Sequence, residues 1–161
     1  MNALSKYSAS LLLQSVAFLL YWHFIIKTKA FRSWRAHLIQ YPEDYVHLPS
    51  KSTEKINNSA QLKATQIETA YQIQEHISAI VRNSPIKFNC MRRCLTLKHI
   101  LNKQFIYPKF HIGVKLDADK TLSAHSWLSL HGKIINDSED NLKNYTELTV
   151  NEKWAQYISV M

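Results

Sequence analysis

Asn89-Cys90-Met91-Arg92-Arg93-Cys94-Leu95-Thr96-Leu97 reads as the start of a helix, and the strands after it decide the fold. Asn89 is a natural N-cap, because its side-chain oxygen can accept a first-turn amide. Cys90, Cys94, Leu97 and Leu101 fall on one stripe at helical spacing, with Met91 and Leu95 beside it. The helix is therefore expected to be buried along its length, with its start at the edge of a core. From about residue 108 the period changes to two. Phe110, Ile112 and Val114 alternate with Lys109, His111 and Lys115. Asp117-Ala118-Asp119-Lys120 makes a turn, strands come next near 122–130 and 133–136, and His131-Gly132 joins them.

Upstream, residues 61–82 carry Ile67, Ala70, Tyr71, Ile77 and Val81 at helical spacing, Asn58 and Gln61 resemble a capping box, and Asn83-Ser84-Pro85 ends the helix. Residues 40–60, with Pro42, Pro49 and several Ser, Asn and Lys residues, read as a linker or surface loop. The order is helices followed by an antiparallel meander, which predicts an α+β domain. The division expected is 1–40 for an apolar N-terminal helix and its basic flank, 41–60 for a linker, and 61–161 for the α+β domain. The segment around Trp154 to Ile158 is helix or strand by pattern.

Composition narrows the function. The chain has 161 residues, 46% hydrophobic and 20% charged, enough for one domain with a real core. Its two glycines, Gly113 and Gly132, both lie in the strand region, so glycine-rich phosphate loops are absent. Net charge is +8, which could attract nucleic acid, anionic lipid or an acidic peptide. The basic residues form no arginine-rich run and no nucleic-acid motif is present, so no nucleic-acid partner is expected. Two cysteines four residues apart cannot staple a fold, which points to a reducing compartment. Residues 9–26 are the most apolar stretch, interrupted by Gln14, Ser15 and His23 and followed by Lys27, Lys29, Arg32, Trp34 and Arg35. A span, an interfacial helix and a helix packed on the domain or a partner protein all fit that pattern.

The chemistry rests on three residue types in chain order. Cys90 would be activated by its helix N-terminus and by an adjacent imidazolium. The free first-turn amides could stabilise the oxyanion of a tetrahedral intermediate. His125 would take the thiol proton and return it to the leaving amine, and Asp137 would hold the ring's orientation. Glu139, Asp140 and the amide of Asn136 are competing orienters. Each residue also has a plainer role: a buried structural thiol, a strand histidine, a turn aspartate. Cys94 reads as core, or as a redox partner of Cys90. His99, His111 and His131 read as ordinary surface or strand histidines, and a zinc site built from these and the cysteines matches no finger or ribbon spacing. Trp127 reads as a core anchor, and Arg92 and Arg93 as a solvated face or a hold on an acidic leader or partner.

The set resembles the transglutaminase-like cysteine proteases that remove leader peptides in lasso-peptide biosynthesis. The resemblance is carried by Cys90 through Leu97, Ile112-Gly113-Val114, Ala124-His125-Ser126-Trp127 and Gly132-Lys133-Ile134-Ile135-Asn136-Asp137. Departures are Ser126 for a second alanine, Ser129 for the usual acid, and Lys103-Gln104-Phe105 for an Arg-Gly turn. The resemblance implies a transglutaminase-like, papain-like fold, a stand-alone protease with Cys90, His125 and Asp137 as its catalytic residues, and no metal or organic cofactor. It implies a ribosomal precursor peptide as substrate, a small leader-binding recognition protein, and an ATP-dependent lasso cyclase as partners. No strand-rich segment reads as a fused leader-recognition domain. The expected location is cytoplasmic, or peripheral to the inner face of the membrane. An acyltransferase or amidase on the same fold, and a non-catalytic membrane-associated scaffold, are the other readings.

Overall fold

The computed structural model describes residues 9–38 and 55–148. In chain order the elements are α1 (Ala9–Thr28), α2 (Phe31–Trp34) running into a 3-10 turn (Arg35–Leu38), α3 (Lys55–Arg82), α4 (Cys90–Lys103), β1 (Lys109–Leu116), β2 (Leu122–Leu130), β3 (Lys133–Ile134), α5 (Glu139–Leu142) and β4 (Thr146–Glu147). The strands form one antiparallel sheet in the order β3-β2-β1-β4. This is the α+β arrangement expected, with an apolar N-terminal helix. The terminal segment around Trp154 to Ile158 and the prolines at 42 and 49 lie outside the described residues.

Local chemistry sets the ends of α4. Asn89 Oδ1 accepts the Arg92 amide at 3.1 Å, the N-cap bond its sequence position predicted. At the other end the Ile106 amide donates to Leu101 O (3.0 Å) and the Phe105 amide to Asn102 O (3.1 Å), a Schellman closure with Ile106 and Leu101 buried together. The closure needs a left-handed residue, and Phe105 occupies it at φ 59°. This is the turn where the resembling proteases carry Arg-Gly. The hairpin between β2 and β3 is equally local: His131 and Gly132 both have positive φ (50° and 79°), as a two-residue type I′ turn requires.

α3 differs from expectation at its start. It begins at Lys55, inside the stretch 41–60 expected as a linker, so Asn58 lies within the helix and not at its start. The polar run from Lys55 to Ala60 contains no Pro or Gly to stop a helix, so the capping pattern had no breaker to reinforce it. The other end is as predicted, with Asn83 Nδ2 donating to Ala79 O at 2.7 Å.

The core lies between the helices and one sheet face. Ala70, Ile73 and Ile77 of α3 and Leu95, Leu97, Ile100 and Leu101 of α4 meet Phe110, Leu128, Leu130 and Ile135. α1 belongs to this core, with Leu19 and Trp22 almost fully buried. Lys98 is also buried, its Nζ donating to Pro108 O at 3.1 Å, and burial pushes its ammonium pKa down to about 8. Arg93 is half-buried and donates through Nη2 to Ser78 Oγ of α3 (3.0 Å), so it is a strut between helices and not the solvated residue expected.

Candidate active site

β2 carries His125 opposite Gly113 of β1. Its Nε2 lies 2.5 Å from Asp137 Oδ2. A carboxylate only accepts, so Nε2 is the donor and the neutral ring keeps its lone pair on Nδ1. Nδ1 has no hydrogen-bond partner among the described residues. The other Asp137 oxygen accepts the Ser138 amide (2.8 Å) and Asn141 Nδ2 (3.0 Å). Burial by itself would raise the Asp137 carboxyl, but the bonds from His125, Asn141 and the Ser138 amide outweigh it and hold the pKa below the ordinary value of 3.8. The rival acids stand apart from His125: Asp140 pairs with Lys143 at 2.6 Å, and Glu139 is exposed in the first turn of α5.

Cys90 is the first residue of α4 and is partly exposed, and its thiol is free. Its amide and that of Met91 lie in the first helical turn, where no intrahelical acceptor exists. No hydrogen bond joins Cys90 to His125 among the described residues; the element that brings their neighbourhoods together is Cys94, one turn further on. The Cys94 thiol donates to Ser126 O (3.2 Å), next to His125, and accepts from Asn136 Nδ2 (3.1 Å), next to Asp137. Asn136 Oδ1 in turn accepts the Leu128 amide at 2.7 Å. β3 ends at Ile134, so Asn136 and Cys94 take up the β2 edge groups that a longer β3 would have paired. Burial pushes the Cys94 pKa up to about 12, so it remains a thiol and a donor, consistent with its reading as core. Asn136 is thus committed to Cys94 and Leu128 and does not orient His125.

Trp127 packs behind this pair. Its indole is stacked toward His125 (centroids 6.3 Å, 19°) on one side and toward His111 (5.4 Å, 3°) on the other, while Tyr145 tilts onto His125 at 5.4 Å. Gly113 makes room for the indole. A β-carbon there would stand 2.8 Å from Trp127 Cη2 and 3.1 Å from Tyr145 Cβ. His111, expected to be an ordinary strand histidine, is buried, with Nδ1 2.6 Å from Glu147 Oε1 and Nε2 2.7 Å from Ser129 Oγ. The sequence signal available for it was its place on the Trp127 face of β1, directly opposite Trp127 in register. His131 meets Gln66 Oε1 at 2.7 Å and His99 stacks on Phe18 at 3.9 Å, both away from Asp137. Among the described residues no three His, Cys, Asp or Glu side chains converge as a metal-ligand set.

Helices packed on an antiparallel sheet, with a cysteine opening one helix and a histidine on β2 bonded to an aspartate in the bend after β3, fit a fold of the cysteine-protease or acyltransferase type. Comparison with protein families agrees: the model of the Transglutaminase-like superfamily matches residues 45–150. The chain belongs to that superfamily, which commonly contains cysteine peptidases. Neither the curated proteins nor the solved structures compared with it give a match.

Proposed function

We propose that this protein is a cysteine peptidase that cuts a ribosomally made precursor peptide at its leader–core junction during lasso-peptide maturation. The observation that carries the reading is the His125–Asp137 bond, which leaves Nδ1 as the basic nitrogen, next to residues tied to the helix that Cys90 opens. Nδ1 takes the Cys90 proton. The thiolate attacks the scissile carbonyl carbon, and the Cys90 amide at the helix start donates to the resulting oxyanion. The imidazolium then protonates the departing amine as the C–N bond breaks, leaving a thioester. Water, deprotonated by His125, cleaves the thioester and frees the enzyme. Asp137 keeps Nε2 protonated and the ring in place throughout.

The freed amine of the core peptide suits a subsequent ATP-dependent cyclase, and a separate leader-binding protein would deliver the precursor. The motif segments around Cys90, His125 and Asp137 support this assignment within the superfamily. The test is precursor cleavage with the leader-binding partner present, read by mass spectrometry. Cys90→Ala should leave the precursor whole while still folding. Undiminished cleavage by that variant would end the proposal. Transfer of the acyl group to an added primary amine in preference to water would instead make the protein an acyltransferase.

A further inference from the structure

The proposed chemistry makes no use of the outer face of α1. Its inner face, Ser15, Leu19 and Trp22, is buried against the rest of the domain. Leu13, Val16, Leu20, Tyr21 and Phe24 face outward, with Leu13 72% and Phe24 62% exposed. A groove of about 360 Å³ continues this surface sideways, lined by Leu12, Val16, Leu20, Ile80, Ile86 and Phe88 among others. Such a contiguous apolar surface is unusual on a soluble monomer and marks a contact surface. Its charge indicates which kind. Residues 9–38 contain no Asp or Glu, while Lys27, Lys29 and Arg32 are exposed just past the apolar stripe, and Arg82 and Lys87 are exposed close to the groove. An apolar stripe with a basic collar and no acid is complementary to an anionic lipid surface.

We infer that α1 and the Ile86–Phe88 edge of the groove seat the protein on an anionic bilayer, with α1 lying in the interface plane. α1 is long and apolar enough to cross a membrane by length and composition. Crossing would strip Leu19 and Trp22 from a core they help to form, so the helix lies on the bilayer and does not span it. Phe88 is two residues before Cys90, so this seating brings the start of α4 close to the lipid headgroups.

Flotation of the full chain with vesicles of phosphatidylglycerol and phosphatidylcholine, against pure phosphatidylcholine, tests the inference. The protein should float with the anionic vesicles, less so in 1 M salt, and stay at the bottom with the zwitterionic ones. Changing the exposed Leu13, Leu20 and Phe24 together to Gln should weaken vesicle binding roughly tenfold or more. Circular dichroism and thermal melting should be unchanged, because none of the three is in the core. The Cys90→Ala protein should float as the parent does, so the outcome stands apart from that of the cleavage assay. Failure to float with anionic vesicles, equal flotation of the Gln variant, or a dimer in sedimentation that dissociates in the Gln variant without vesicle binding would overturn it.

Discussion

Two histidine–carboxylate pairs flank one indole, and they are built for different ends. His125–Asp137 and His111–Glu147 have nearly the same nitrogen–oxygen distance, 2.5 and 2.6 Å, and both rings stack toward Trp127. The difference is the second nitrogen. His111 spends Nε2 on Ser129 and its side chain is 9% exposed; His125 keeps Nδ1 without a partner among the described residues and is 24% exposed. A general base needs an unshared lone pair within reach of its substrate. A histidine with both nitrogens engaged is a clamp, here joining β1, β2 and β4. Proximity to a carboxylate therefore does not distinguish a base from a strut, whereas the state of the other nitrogen does.

The contrast can be broken most directly by the same change on both sides. His125→Gln should lower precursor cleavage on the order of 10³-fold or more, while His111→Gln should keep cleavage within about tenfold and lose stability instead, by about 1–3 kcal/mol in urea unfolding. Comparable losses of cleavage in both variants, at matched stability, would erase the distinction. The carboxylates should behave in parallel: Asp137→Asn is expected to cost on the order of 10²–10⁴ in turnover, against less than about threefold for Asp140→Asn. Asp137 should also leave a pH signature. Its folded pKa lies below the unfolded value, so its contribution is present above that unfolded value and is lost as pH falls through the lower folded one. Acid unfolding of the parent should therefore fall more steeply below about pH 4 than that of Asp137→Asn, as monitored by circular dichroism. The shared wall is sharpened by Gly113→Ala, whose methyl group would displace Trp127. Destabilisation by roughly 1–3 kcal/mol in urea is expected, with altered tryptophan fluorescence. The smallest effect lies outside the pair. Phe105→Gly relieves the left-handed backbone after α4 and should stabilise by up to about 1 kcal/mol, raising the melting temperature without changing turnover.

What the sequence made legible is what short-range chemistry determines. The Asn89 cap, the places of β1 and β2 and the turn at His131-Gly132 depend on residues within a few positions of one another, and each appears as read; the in-out alternation of β1 does not, because His111 on its polar side is buried as well. The rest depends on partners far along the chain. Asn136 meets Cys94 across 42 residues, and Glu147 meets His111 across 36, from a β4 only two residues long. No periodicity announces such contacts. Choosing Asp137 over Asp140 likewise needed the path of the chain after β3, because spacing alone leaves both within reach of His125. Arg93 misled for a related reason: a charge beside an apolar stripe looks solvated until the neighbouring helix presents Ser78 to it.

Asn136 gives the arrangement an unusual reporter. The Leu128 amide in the sheet is protected by a side chain instead of a neighbouring strand, and that same side chain holds the Cys94 thiol. Opening the β2–β3 hairpin at Leu128 would break the bond to Asn136, the residue that also holds Cys94 of α4, and the Leu128 amide proton would record it. Native-state hydrogen exchange at Leu128 is expected to report how often the strand of His125 and the helix that Cys90 opens come apart, in the resting protein, with no substrate present.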